Sequence, residues 1–523
     1  MKRRNFLQTT AALSIPALVP ITGARGGVSR FTNLISPDSD RILIIVHLFG
    51  GNDGLNTVVP LDQMDGLNAV RPRFAVTENL ALKITDTVGL HPQMDDMATL
   101  FKEDKLRILQ SVGYPNPNRS HFRSTDIWTS GSSSSEYEQT GWFGRFLDTK
   151  YPGFPTGYPT AGQPHPPAIS MGDVSHPTCE GPSANFAQSV LDPLDTQRLN
   201  DLVKISVSDD YYGNELDFIR QSMTQTNAYN QVIEEAAMKG KNAVTYNDKQ
   251  NPLSPQLQRV ARMISGGLQT KVYTVYLGGF DTHAGQVLND ATNGKQAHLL
   301  RKLSDAIGDF MKDMKAQGLD ERVLGLTFSE FGRRIRPNAS MGTDHGDAGP
   351  MFLFGNCVNG GVFGKNVVVD KDVSQGEGVP MQFDFRDVYG SILVDWFNVM
   401  PSSVRNLLHE DFQYIPVADT CNDLLNSASS GETTEDGWFV GTIYPNPAKD
   451  HVRVTLDSPN GGGKLRYSLF DARGRLVLAN EISVQGRQEH VLFQRPSRLP
   501  AGSYVLRMAT DTGSSLARKI LFD

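Results

Sequence analysis

Two short stretches set an aspartate almost beside a histidine: Asp344 and His345 in "GTDHG", and Asp281 and His283 in "GGFDTHAG". Carboxylate and imidazole together are a good ligand set for Zn²⁺ or Mn²⁺. A further aspartate, Asp53, stands in "GGNDGLNT". The segment "NRSHFRSTDIW" supplies Arg119, Ser120, His121 and Arg123, and "SEFGRR" supplies Glu330, Arg333 and Arg334. Ser120 at a helix start would offer a nucleophilic hydroxyl beside free N–H groups that favour an anion. Arg119 and Arg123 would suit a phosphate or sulfate through bidentate hydrogen bonds. The glycines of "GTDHG" are expected to supply unusual backbone angles, so that one tight loop presents both side chains. Each residue alone is more often a turn or cap residue. Their common position in the chain pattern carries the reading.

That position is the end of an apolar run. "RILIIVHLFGG", "KLRILQSVG", "KVYTVYLGGFD" and "RVLGLTFSEFG" are continuous apolar stretches of the kind buried in a parallel sheet. Between the last two, Leu299, Leu300, Leu303, Ala306, Ile307, Phe310, Met311 and Met314 fall on one helical stripe. Strand, helix and strand at this spacing form a βαβ unit, and hence an α/β domain with helices on a mostly parallel sheet. Ligands of open α/β sheets gather at the carboxyl ends of strands, which is where each run delivers its polar residues. Residues 151–168, rich in Pro and Gly, read as a long surface loop.

The chain of 523 residues is 39% hydrophobic and 20% charged, enough for a large core and more than one domain. A net charge of -7 argues for solubility and against nonspecific nucleic-acid binding. The first 28 residues, with Lys2, Arg3 and Arg4 before an apolar stretch, read as an export signal. Residues 424–437 are small, polar and acidic and read as a linker. After them come short runs rich in β-branched and aromatic residues, as in a small all-β, immunoglobulin-like sandwich at 438–523. Cys179, Cys357 and Cys421 leave at least one thiol unpaired within the chain, and no Cys-x-x-Cys pattern suggests a cysteine zinc site.

Three resemblances add to this. Arg3-Arg4 followed by Phe6-Leu7 resembles a twin-arginine signal, which implies the twin-arginine translocase as a partner. "YPNPAKDHVRV", "FDARGRLV", "LPAGSYVLRM" and the final "KILFD" resemble the sorting domain of the type IX secretion system. That implies passage to the outer-membrane surface or beyond, with residues 438–523 contacting the secretion machinery. Residues 29–423 resemble the domain of unknown function 1501 family, related to alkaline phosphatases and sulfatases, through "HLFGGNDGLNTVVPL", "RSHFRSTDIW", "GGFDTHAGQ", "TFSEFGRRI" and "GTDHGDAGPMFLFG".

The superfamily implies a metal-dependent hydrolase of small phosphate or sulfate esters. Carried over, Asp53 becomes the first-strand metal ligand and Ser120 the nucleophile. Asp281 with His283, and Asp344 with His345, become metal pairs, and Arg119 and Arg123 neutralise the transferred group. The chain departs from that pattern in two ways. Asp281 and His283 are two residues apart rather than one helical turn, and no suitable histidine follows His345, since His409 falls in an apparent helix. One site is therefore incomplete or completed by His121 or Glu330. Two alternatives stay open: a non-catalytic surface binding protein on the same fold, and an esterase of the Ser-Gly-Asn-His type. The latter lacks its early Gly-Asp-Ser here.

Overall fold

The computed structural model describes residues 40–196, 211–247, 250–397, 399, 401–418 and 432–433, and, towards the C-terminus, 438–444, 448–457, 463–471, 475–484, 488–496, 499–510 and 515–522. The export signal, its twin-arginine motif, most of the linker and Cys421 lie outside the described residues. No helix among the described residues is long and apolar enough to cross a membrane.

Each of the four apolar runs is a strand of one sheet: β1 Ile42–Leu48, β2 Leu106–Gly113, β5 Val272–Leu277 and β6 Val323–Phe328. The sheet also holds β3 Ala168–Met171, β4 Ala187–Val190, β7 Gly349–Gly355 and β8 Gly361–Phe363. The spatial order is β8-β2-β7-β6-β1-β5-β3-β4, with Phe383–Asp384 pairing on β2. Only β7 runs antiparallel to its neighbours, β2 and β6. β1 is parallel to both β5 and β6.

β1 is buried at every position because both faces of the sheet are covered. Ile42, Ile44, Val46 and Leu48 join one core with Leu300, Leu303, Ile307 and Phe310. Leu43 and Ile45 join the opposite core with Trp128, Trp142, Tyr389 and Ile392. The striped helix spans Lys295–Ala316, and all eight residues of its stripe are buried. It connects β5 to β6 as expected, but the two strands are not neighbours, since β1 lies between them. A right-handed crossover over one intervening strand leaves the same local pattern as a crossover between adjacent strands. The segment 151–167 is irregular, and β3 starts at its last predicted residue, Ala168.

The C-terminal region forms two four-stranded antiparallel sheets around one apolar core. Val452, Val454 and Leu456 of one sheet pack there with Leu465, Leu506 and Met508 of the other, as alternation along sandwich strands requires. Cys179 is buried and free, and Cys357 is disulfide-bonded.

Gly325, in the centre of β6, has no room for a side chain, because a Cβ there would collide with the ring of Phe354 on β7. Gly325→Ala is expected to lower stability by roughly 1–3 kcal/mol through overpacking. Urea unfolding followed by circular dichroism checks this; an unchanged midpoint would refute the packing described.

Candidate metal centre

The loop after β1 turns at Gly50 and Gly51 and lies across the end of β6. Gly50 and Gly51 donate their backbone N–H groups to the buried carboxylate of Glu330, at 2.9 to 3.1 Å. Ser329 Oγ accepts from Gly51 and Asn52 N–H, both at 3.1 Å, and donates to Leu48 O at 2.6 Å. Gly50 has φ +120°, and a Cβ there would collide with the backbone of Asp281. Glycine at this position lets the loops after β1 and β5 touch.

The segment 343–346 is zipped to 332–334. Arg334 N–H donates to Asp344 O at 3.0 Å and Gly346 N–H to Gly332 O at 2.8 Å. Neither Gly342 nor Gly346 has a positive φ, which corrects the expectation of unusual angles. Their function is close approach: a Cβ on Gly342 would strike the backbone of His283, and one on Gly346 the backbone of Arg333.

Asp281, His283, Asp344 and His345 meet as a result, and His121 joins them from the first turn of the helix His121–Ser130. His283 Nδ1 lies 3.1 Å from Asp344 Oδ1, and His345 Nδ1 lies 2.7 Å from Arg119 O. His121 Nδ1 faces Glu330 Oε1 at 3.4 Å. Each acceptor calls for a proton on Nδ1, which leaves the Nε2 lone pair of a neutral imidazole free. All three Nε2 atoms turn toward Asp281, at 3.1 Å for His283, 3.1 Å for His345 and 3.5 Å for His121. The Nε2 atoms of His283 and His345 are 2.9 Å apart. Lone pairs and a carboxylate oxygen thus converge with too few protons between them. Ligands at about 2.0–2.2 Å from one cation stand about 3.3–3.6 Å apart in a tetrahedron and about 2.8–3.1 Å apart at right angles, so these residues fit a divalent metal. His121, Asp281 and His345 by themselves satisfy the spacing of a three-ligand site.

Charge in the cluster is fixed by arginines. The Arg333 guanidinium is fully buried and lies 2.7 Å from Asp281 Oδ1. Burial would raise the Asp281 carboxyl, but the hydrogen bond and charge of Arg333 prevail and hold it at about 2. Asp344 is lowered, first by its hydrogen bond from Asn338. Burial lowers His345, which favours the neutral ligand form.

Asp53 does not join the cluster. Its buried carboxylate forms a bidentate pair with Arg71, at 3.1 and 3.0 Å, and accepts from Gln286 Nε2 at 2.5 Å. An inward-facing aspartate at this depth requires a partner, and Arg71 supplies it. Ser120 is exposed at the N-cap of its helix, and its hydroxyl makes no capping bond. Arg119 and Arg123 do not stand free for an anion. Arg119 holds Asp347 through two bonds of 2.9 and 2.7 Å. Arg123 pairs with Asp126, donates to carbonyls at 133, 134 and 136, and lies 3.9 Å over the Tyr137 ring. Nearby carboxylates capture both. His409 is also elsewhere, bonded to Asp387 at 2.9 Å just beyond the helix Pro401–Leu407.

Sequence reasoning gave no role to Arg333, Arg71 or Gln286. Gln286 Oε1 accepts from Thr282 and Thr343 hydroxyls, at 2.9 and 2.6 Å, tying together the loops that carry the histidines. The double arginine of "SEFGRR" was the available signal for Arg333. Nothing in the local sequence marks Arg71 or Gln286.

The family described as "protein of unknown function (DUF1501)" matches residues 40–381, and the "secretion system C-terminal sorting domain" matches residues 442–523. No curated protein matches the chain. Among solved structures it is similar to a protein of the alkaline phosphatase superfamily from Vibrio parahaemolyticus, at 10% identity, with 79% of this chain and 76% of that one covered and a TM-score of 0.30. It is also similar to a sulfatase from Pseudoalteromonas, at 11% identity over 91% of this chain and 86% of that one, with a TM-score of 0.29. Latent PorU from Porphyromonas gingivalis is similar at 18% identity over 15% of this chain, which spans 9% of PorU, with a TM-score of 0.14.

Arg333 donates to the carbonyls of Gly50, Gly51, Phe280 and Thr343 as well as to Asp281. Arg333→Met strands those acceptors and is expected to cost on the order of 3 kcal/mol or more. Arg123→Met strands only local acceptors, the carbonyls of residues 133, 134 and 136, and is expected to cost less, about 1–2 kcal/mol. Equal losses in paired urea titrations would show that Arg333 is not the organising residue.

Proposed function

The chain belongs to the DUF1501 family, and we propose that it is a metal-dependent hydrolase of small phosphate or sulfate esters. The sorting domain marks it for export to the cell surface or exterior. His121, His283, His345 and Asp281 would hold one divalent ion, with Zn²⁺ and Mn²⁺ suited to the donor set. The observation that carries this reading is the common orientation of three imidazoles, each with Nδ1 on an acceptor and Nε2 toward Asp281. Outer partners of this kind orient histidine ligands in metal sites.

When bound, such an ion polarises an ester oxygen and lowers the pKa of a nucleophile. Ser120 is the nucleophile candidate. It lies between Arg119, whose carbonyl holds His345, and His121 itself. Its hydroxyl is exposed and unspent on the helix cap, and the helix N-terminus behind it favours an anion. Arg334 flanks the cluster with two bonds of 3.3 Å, to His345 O and Asp344 Oδ2. These bonds are longer than the 2.9 and 2.7 Å bonds of Arg119 to Asp347, so Arg334 is the arginine of this rim most readily turned toward an anion.

The engagement of Arg119 with Asp347 and of Arg123 with Asp126 favours a second reading, a non-catalytic surface protein that binds metal on the same fold. Turnover of model phosphate and sulfate esters by the metal-loaded protein separates the two. His345→Ala is expected to weaken metal binding by at least the roughly 10–100-fold of an outer-partner loss. It is also expected to abolish most of the rise in melting temperature that added Zn²⁺ or Mn²⁺ gives the wild type. If wild type and variant respond alike to metal, the site is not a metal centre.

The sorting assignment has its own test. A chain ending at residue 437 should remain in the periplasm of a host with a type IX system, as read by surface proteolysis. Delivery at the wild-type level would contradict it.

A further inference from the structure

We infer that the centre is mononuclear, with Arg71 and Arg333 standing where a second cation would otherwise be needed. This rests on the metal reading above and deepens it. The family resemblance implies two metal sites with Asp53 among the ligands, and the residues here do not fit the second.

Asp53 is committed to protein donors. Arg71 donates one hydrogen bond to each carboxylate oxygen, and Gln286 Nε2 donates a further one to Oδ2. The Gln286 amide cannot turn away, because its oxygen already accepts from Thr282 and Thr343 hydroxyls. Asp53 and Arg71 have 1% and 0% of their side-chain surface exposed. A divalent ion on Asp53 would displace a guanidinium that has no route to water, leaving an unpaired buried charge.

The remaining carboxylates are matched in the same way. Asp281 pairs with Arg333, Asp344 with Arg334, and Asp347 with Arg119. Glu330 is held by hydrogen bonds from the amide groups of Gly50 and Gly51 and faces His121. Four aspartates and four arginines leave little anionic charge for cations. The uncommitted donors are the three Nε2 atoms and Asp281 Oδ2, while Oδ1, toward which His283 and His345 point, is shared with Arg333. They define one ion position. Two ions close together need several unpaired carboxylates to offset their mutual repulsion, and these are absent here among the described residues.

The test is metal stoichiometry of the purified full chain. Dialysis against excess Zn²⁺ or Mn²⁺ followed by elemental analysis is expected to give one tight ion per chain. Two tight ions would overturn the mononuclear assignment while leaving the metal reading intact. No ion would overturn both. In a second arm, the double variant Asp53→Asn with Arg71→Met removes the buried pair together, so neither partner is left as a lone charge. It is expected to keep a stoichiometry of one, with affinity reduced by no more than the roughly 100-fold of an outer-partner loss. A folded double variant that binds no metal would make Asp53 a ligand and overturn the assignment.

Discussion

The buried guanidinium of Arg333 reaches three segments that are far apart in sequence: the turn at Gly50-Gly51, the loop at Phe280-Asp281, and Thr343 ahead of Asp344 and His345. A fully buried arginine must find partners for its donors. Here those partners are mostly backbone carbonyls of loops that carry no regular structure. Its requirement therefore becomes a constraint on loop position. The carbonyls gain a donor that the sheet does not offer them, and Asp281 gains the charge that keeps it ionised.

A second bracket works from the other side of the same loops. Gln286 links Thr282 to Thr343 and then to Asp53 and Arg71. Together the two brackets immobilise Asp281, His283, Asp344 and His345 without any of them belonging to a helix or strand. The helix His121–Ser130 is attached to the same frame, since Ser124 donates to Glu330 O and His121 faces the Glu330 carboxylate. The imidazoles are thus oriented before any ligand arrives, which reduces the ordering that binding must bring about.

Much of this arrangement was legible in the sequence. The continuous apolar runs gave four strands, and the stripe from Leu299 to Met314 gave the helix between β5 and β6. Polar residues after those runs gave the loops that bear Asp281, His283, Asp344 and His345. Other parts were hidden for physical reasons. β3 and β4 are four residues long, too short to show a period. β7 reads as a strand only through its partners β2 and β6, because its segment begins Gly-Pro. Asp53 has the residue type and the strand-end position of a ligand, and only the tertiary placement of Arg71, eighteen residues on, decides its partner. Arg119 and Arg123 mislead in the same way. An arginine is read from sequence as a free charge, whereas Asp347 and Asp126 claim it in the fold.

The central claim is that the Nε2 atoms of three histidines and the carboxylate of Asp281 share one cation. Anomalous diffraction from crystals of the chain grown with Zn²⁺ or Mn²⁺, collected on both sides of the metal absorption edge, tests it most directly. The account predicts a single strong peak at about 2.0–2.2 Å from Nε2 of His121, His283 and His345 and from an Asp281 oxygen, with Asp53 still paired to Arg71. A peak ligated by Asp53, or no peak among these side chains, would contradict it.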